Sequence, residues 1–218
     1  SDELGGWQRQ AKREPPVAAR KPLVVSGRSG PRLVVGNRPN ESQVTLEVGC
    51  VLPVSDASSV PAEDVFESLL DEALDAELRQ RTGATYGVHA SLERLRGGTT
   101  VLHVTSAVGY EQLEPSLKTL YAWFGEDTPR VTEDAVALAR FDAVQSTFHD
   151  TETSLDLASQ LFEYARRGLT PSDLEQRPKR IAAVQPDAVE RLLAACRRTS
   201  LFSAVGDERR IRGAWPGG

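Results

Sequence analysis

The stretch Leu78-Arg79-Gln80-Arg81-Thr82-Gly83-Ala84-Thr85-Tyr86-Gly87-Val88 is where the hydrophobic period of the chain changes from about four to two. Before it, Val65, Leu69 and Ala73 form one row at four-residue spacing, and Phe66, Leu70, Leu74 and Leu78 form the adjacent row. Together they make the buried stripe of an amphipathic helix. Pro61 stands at the first helical position, Glu63 and Asp64 lie in the positive first turn, and Glu67, Asp71, Asp75 and Arg79 occupy more polar ground. Gly83 supplies the left-handed residue at which the helix stops, with Arg79 and Arg81 as cations in the last turn. From Tyr86 onward, Tyr86, Val88, Ala90 and Leu92 alternate with Gly87, His89, Ser91 and Glu93, the pattern of a half-buried strand. Arg79 and Tyr86, seven residues apart, therefore flank one tight helix-to-strand turn and are expected to project toward a common point.

Upstream, Arg32 to Gly36 and Gln43 to Leu52 read as strands joined by the turn residues Asn37-Arg38-Pro39-Asn40, with Val44, Leu46, Val48 and Cys50 as the apolar side of the second. Pro53 to Val60 is a loop. Residues 1–22, with Gly5-Gly6, Pro15-Pro16 and Pro22, read as a linker or arm. Downstream, the strand from Tyr86 to Leu95 turns back as Thr99 to Val108. A three-residue turn, Arg96-Gly97-Gly98, pairs Leu92 with Leu102, Ala90 with Val104 and Tyr86 with Val108 and keeps one face apolar. A two-residue turn would instead set His103 and Thr105 against Leu92 and Ala90.

Helical patterns follow at about Tyr110 to Phe124, Thr132 to His149, Thr153 to Arg167, a broken piece from Pro171 to Val184, and Pro186 to Arg198. Gly168 before Pro171 stops one helix, and Thr170-Pro171 with Asp173 starts the next. A short strand from Leu201 to Val205 precedes a polar, Gly-rich tail, 208–218, so the folded domain is expected at 23–207. The order strand, strand, helix, hairpin, helices, strand predicts an α+β domain. Its expected form is a two-layer sandwich, one mostly antiparallel sheet covered on one face by helices.

A chain of 218 residues, 39% hydrophobic and 26% charged, has the size and composition of one globular domain with a real core. A net charge of -5 without an offsetting basic patch argues against nucleic acid as the main partner. No apolar run approaches the roughly 18 residues of a membrane span, which reads as a soluble chain; the absence of a visible signal peptide means little here, and the compartment, cytoplasmic or periplasmic, stays open. With no methionine anywhere, Ser1 does not read as an ordinary translation start, and the sequence reads as a processed or excised piece. Cys50, in a strand, and Cys196, on a helix face beside Leu192 and Leu193, read as buried thiols rather than a disulfide or ligands, which leaves the redox compartment open.

The combination Leu78-Arg79, Gly83 and Tyr86-Gly87-Val88 resembles a segment of the pitrilysin/insulinase family of zinc metallopeptidases. In the second or C-terminal-type domain of that family an Arg and a Tyr stand at this spacing. Three later pieces resemble the family's closing pattern: Ala165-Arg166-Arg167-Gly168-Leu169-Thr170-Pro171, Ile181-Ala182-Ala183-Val184 before Pro186-Asp187-Ala188-Val189, and Ser203-Ala204-Val205-Gly206-Asp207. The likeness thus extends over roughly Lys21 to Asp207. It implies a processing-peptidase-like metallohydrolase fold, with Arg79 and Tyr86 hydrogen-bonding the substrate carbonyl beside a zinc held by another domain. One departure is Asp71-Glu72-Ala73-Leu74-Asp75, where many members have a Gly-rich break, so a longer helix is expected here.

Zinc peptidases of this kind need two imidazole ligands and a water-activating Glu in an H-x-x-E-H motif on a helix. This chain has three histidines, and the nearest fragment, His149-Asp150-Thr151-Glu152, continues with Thr153 where the second ligand belongs. The chain is therefore not expected to be catalytic alone. It carries no cofactor of its own, and the zinc is expected in a pitrilysin-type partner domain, earlier in the same polypeptide or on a separate chain. His89 and His103 lie diagonally on one sheet face near Glu93, but read as solvent-facing polar residues more readily than as metal ligands.

Taken alone, Arg79 is explained as a cation at a helix end and Tyr86 as a common strand residue. In the family setting, a guanidinium fork and a phenol donate hydrogen bonds to a carbonyl or its developing oxyanion. A sheet edge is further expected to take an extended peptide by strand addition. The resemblance thus implies a non-zinc, substrate-binding half of a peptidase, closing over a zinc-bearing partner. The alternatives are a catalytically inactive pseudo-peptidase domain with a scaffold or assembly role, and an isolated peptide-binding module.

Overall fold

Strict alternation along Gln43–Val51 (β2) buries Val44, Leu46, Val48 and Cys50 while the residues between them stay more accessible. The same alternation in Thr100–Gly109 (β4) buries Leu102, Val104 and Val108 against the same core. This computed structural model describes residues 31–53, 56–80, 85–95, 98–125 and 131–217. The arm expected at 1–22, the helix stop at Gly83 and the turn residues Arg96 and Gly97 lie outside them.

Among the described residues the fold is mixed α/β, with one five-stranded sheet and seven α-helices. Besides β2 and β4, the strands are Arg32–Asn37 (β1), Thr85–Arg94 (β3) and Leu201–Gly206 (β5), in the order β1-β5-β2-β4-β3. β1 and β5 are parallel and the other three pairings antiparallel. β5 is thus inserted between the first two strands. Neighbours in sequence, β1 and β2, do not pair, a result no local pattern foretells.

The helices are Val60–Asp75 (α1), Leu113–Phe124 (α2), Glu133–His149 (α3), Ser154–Arg166 (α4), Pro171–Ala182 (α5), Pro186–Thr199 (α6) and Glu208–Ala214 (α7). α1 runs unbroken through Asp71 to Asp75, buries Val65, Phe66, Leu69, Leu70 and Leu74, and passes into one π-helical turn, Ala76–Gln80. α5 is continuous despite Pro178 inside it. Reciprocal capping boxes start α4 (Thr153 with Asp156) and α5 (Thr170 with Asp173).

Other expectations change as well. Cys50 and Cys196 are joined in a disulfide rather than held as separate thiols, with Cα atoms 5.0 Å apart. The physical reason is that α6 packs on the inner side of β2, bringing together two positions 146 residues apart in sequence, a separation at which spacing carries no signal. Residues 208–214, expected in a polar tail, form α7: Ile211 is fully buried, and Trp215 just beyond packs edge-on against Phe202 and Tyr121, with ring centroids 4.9 and 5.4 Å away. Ile211, with Ala214 beside it, anchors a short helix that otherwise carries the charges of Glu208, Arg209, Arg210 and Arg212.

Candidate functional site

Helix α1 runs alongside β3, the last strand of the sheet, and its carboxylates meet the strand backbone at regular steps. Asp71 Oδ1 accepts from the Ala90 N–H at 2.8 Å, and Glu67 Oε1 accepts from the Leu92 N–H at 2.9 Å. One helical turn further, Glu63 Oε2 accepts from Arg94 Nε at 3.0 Å. The spacing works because four helical residues rise about 6 Å and two strand residues about 6.6 Å. The outer edge of β3 is thereby occupied at two successive N–H groups. A peptide adding to β3 would have to displace both carboxylates, which narrows the expectation that a sheet edge accepts one.

This pairing ends where the sequence placed the candidate residues. On the helix side the regular α1 gives way to the π-helical turn that holds Arg79. On the strand side the β3–β4 register slips: Leu92 faces Leu102 and Ala90 faces Val104 as the three-residue turn requires, but a bulge between Thr85 and Val88 puts Thr85, not Tyr86, opposite Val108. Gly87 in the bulge has φ +153°, open to glycine and costly for other residues. Arg79 is exposed, pairs with Asp75 at 3.8 Å, and lines a groove of about 550 Å³ together with Gly87 and Val88, the two residues after Tyr86. The fold thus brings Arg79 beside the bulged backbone that carries Tyr86. The Tyr86 side chain lies outside the described residues.

Both irregularities are of kinds that recur at functional sites, because each re-aims a side chain that a regular element would hold elsewhere. Sequence periodicity does not reveal either one. The π-helical turn interrupts a stripe that continues unbroken to Leu78, which is buried as the stripe requires.

The polar sheet face carries the histidines. His103 Nδ1 lies 2.9 Å from Glu47 and its Nε2 lies 3.6 Å from Glu93, while His89 Nδ1 lies 3.4 Å from Asp71. His149 and Glu152 form an exposed pair at 2.9 Å beside the end of α3. Among the described residues no three His, Cys, Asp or Glu side chains are grouped as they would be to hold a metal ion.

Sequence reasoning missed a second constellation. Glu63 and Asp64, expected merely to complement the helix N-terminus, are 1% and 4% exposed and meet two arginines. Asp64 binds Arg94 through Oδ1 and Arg177 Nε through Oδ2, the latter at 2.9 Å, and Arg177 reaches on to Asp150 at 3.0 Å. For both guanidiniums burial works against the charge, yet the carboxylates outweigh it and raise the proton affinity above the usual range. Glu67 responds in the opposite balance: its burial outweighs Arg94 and the Leu92 N–H, so its pKa is raised. The one available hint was Glu63-Asp64 adjacent in sequence at a helix start, where capping already explains both.

No protein-family description and no curated protein matches this sequence significantly. Solved structures do match. The inactive domain of an M16 peptidase from Pseudomonas fluorescens is similar with a TM-score of 0.65 at 18% identity, over 89% of this chain and 47% of that one. The periplasmic protease PqqL from Escherichia coli gives 0.66 at 12% identity, over 95% of this chain and 24% of that one. A protease from Helicobacter pylori gives 0.63 at 13%, over 82% and 44% respectively. The chain has the fold of an M16 peptidase domain, and it spans less than half the length of each of these three proteins. None of its described helices is long and apolar enough to cross a membrane.

Proposed function

We propose that this chain is the non-zinc, C-terminal-type half of a pitrilysin-like peptidase, a two-layer domain that closes over a zinc-bearing partner and binds extended peptide. Arg79 and Tyr86 then polarise the scissile carbonyl, while zinc, attacking water and general base come from the partner. The observation that carries this reading is the coincidence of the π-helical turn and the strand bulge at those two positions, in a domain with the M16 fold. Two hydrogen-bond donors aimed at a developing oxyanion contribute by being fixed beforehand, without contact to the metal.

A partner is also supported by the surface of α3 and α4. Phe141, Phe148, Leu155 and Phe162 are all more than half exposed, an apolar area of the kind that marks an interface. A scaffold role without catalysis is the second reading, favoured by the likeness to an M16 domain described as inactive.

The test is peptide hydrolysis by the longer parent protein, or by this chain mixed with its zinc-bearing half, comparing wild type with Arg79→Ala and Tyr86→Phe. Loss of one such donor is expected to lower kcat by about 10²-fold with zinc content unchanged. Equal turnover in all three proteins removes the pair from the mechanism, and an inactive wild type leaves the scaffold reading.

A further inference from the structure

At the opposite end of β3 from Arg79, a cleft of about 440 Å³ opens between α1, the end of β3, α4 and α5. Its carboxylates are engaged. Asp64 serves Arg94 and Arg177, Asp150 serves Arg177, Glu163 holds Arg166 Nη2 at 2.6 Å, Glu67 takes the Leu92 N–H, and Glu93 lies 3.6 Å from His103. Besides Gln160, two donors on its wall have no side-chain hydrogen bond among the described residues. The Arg167 side chain makes no hydrogen bond or ion pair among the described residues. Tyr164 is 4% exposed, and its hydroxyl likewise has no partner there.

The two stand three residues apart at the end of α4, on one flank of the helix. That end is locked: the Leu169 N–H donates to Tyr164 O at 2.9 Å and the Gly168 N–H to Ala165 O at 3.1 Å, with Gly168 at φ +76°. A cation at a helix C-terminus is ordinary when it reaches into water. Arg167 instead sits in the cleft, where burial and then the neighbouring Arg94 lower its pKa and the carboxylates of Glu63 and Asp64 offset them only in part. A bound anion relieves both effects.

We propose that this cleft is an oxyanion-binding site, in which Arg167 presents its N–H fork and Tyr164 its hydroxyl to a carboxylate or phosphate group. A guanidinium fork matches both groups in bidentate geometry, and Arg94 and Arg177, already charge-paired, form the floor rather than the ligand contacts. The site stands apart from Arg79, and its test needs no zinc-bearing partner.

The experiment is calorimetric titration of the chain with inorganic phosphate, and with one short peptide prepared both as free acid and as C-terminal amide. At least one oxyanion probe is expected to bind, and Arg167→Gln and Tyr164→Phe are each expected to weaken it about tenfold or more while circular dichroism stays unchanged. Binding of the free acid but not the amide identifies a peptide terminus as the source. Binding of phosphate alone identifies a phosphoryl group, and binding of both identifies a general oxyanion site. The proposal is overturned if wild type binds neither oxyanion, if free acid and amide bind alike without phosphate, or if Tyr164→Phe, which preserves the packed ring, binds as wild type does.

Discussion

The carboxylate of Asp71 accepts a hydrogen bond from the backbone N–H of Ala90, so a helix side chain occupies a position on β3 that a neighbouring strand would otherwise take. Glu67 repeats the contact at Leu92. Side chains of α1 close this edge of the sheet over two residues and stop where the bulge begins. The same geometry that shields the edge delimits the candidate site.

Removing the Glu67 acceptor tests the strength of this closure. Glu67→Ala leaves the Leu92 N–H without its partner and is expected to cost about 1–3 kcal/mol in urea denaturation, whereas Glu67→Gln retains an acceptor oxygen. Because burial raises the folded pKa of Glu67, the folded state holds the proton longer than the unfolded chain. Its contribution to stability therefore falls as pH rises from the ordinary Glu value through the raised one. Relative to wild type, Glu67→Gln should gain stability across that window and show no gain below about pH 4. A gap that is flat with pH contradicts the buried charge.

Arg177 and Asp64 form a pair that neither residue can leave cheaply, since Asp64 is 4% and Arg177 11% exposed. Arg177→Met is expected to cost about 3 kcal/mol, because Asp64 loses one cation and Asp150 its own. Combining it with Asp64→Leu should cost less than the sum of the single changes, as a double-mutant cycle would read. Additive costs mean the contact is energetically idle.

The Cys50–Cys196 bond closes a span of 146 residues. Chain-entropy arguments put the stabilisation at about 5 kcal/mol at most, with measured bridges commonly at about 2–4 kcal/mol. Denaturation midpoints with and without reductant, and for Cys196→Ala, should shift together. Free thiols titrating in the unreduced folded chain would refute the pairing.

Helix α7 adds stability through Ile211 and Trp215. Ile211→Ala removes a fully buried side chain and is expected to cost about 2–4 kcal/mol. Trp215→Ala uncovers Phe202 and Tyr121 and should produce a similar loss of thermal stability. Unchanged melting in both variants would restore the view of this segment as a tail.

The sequence by itself determined what depends on near neighbours. The stripe from Val65 to Leu78 specified α1, alternation specified β2 and β4, and keeping one face apolar set Leu92 against Leu102. Thr170 and Asp173, three residues apart, announced the start of α5. The seven-residue spacing of Arg79 and Tyr86 is read from the sequence alone. Tertiary structure alone decided the rest: β5 entering between β1 and β2, Cys196 meeting Cys50, Arg94 and Arg177 converging on Asp64, and the bulge that shifts Thr85 opposite Val108. Periodicity records which side of an element is apolar. It does not record which distant element arrives there, because partners far apart in sequence are selected by shape and charge only once the core has packed.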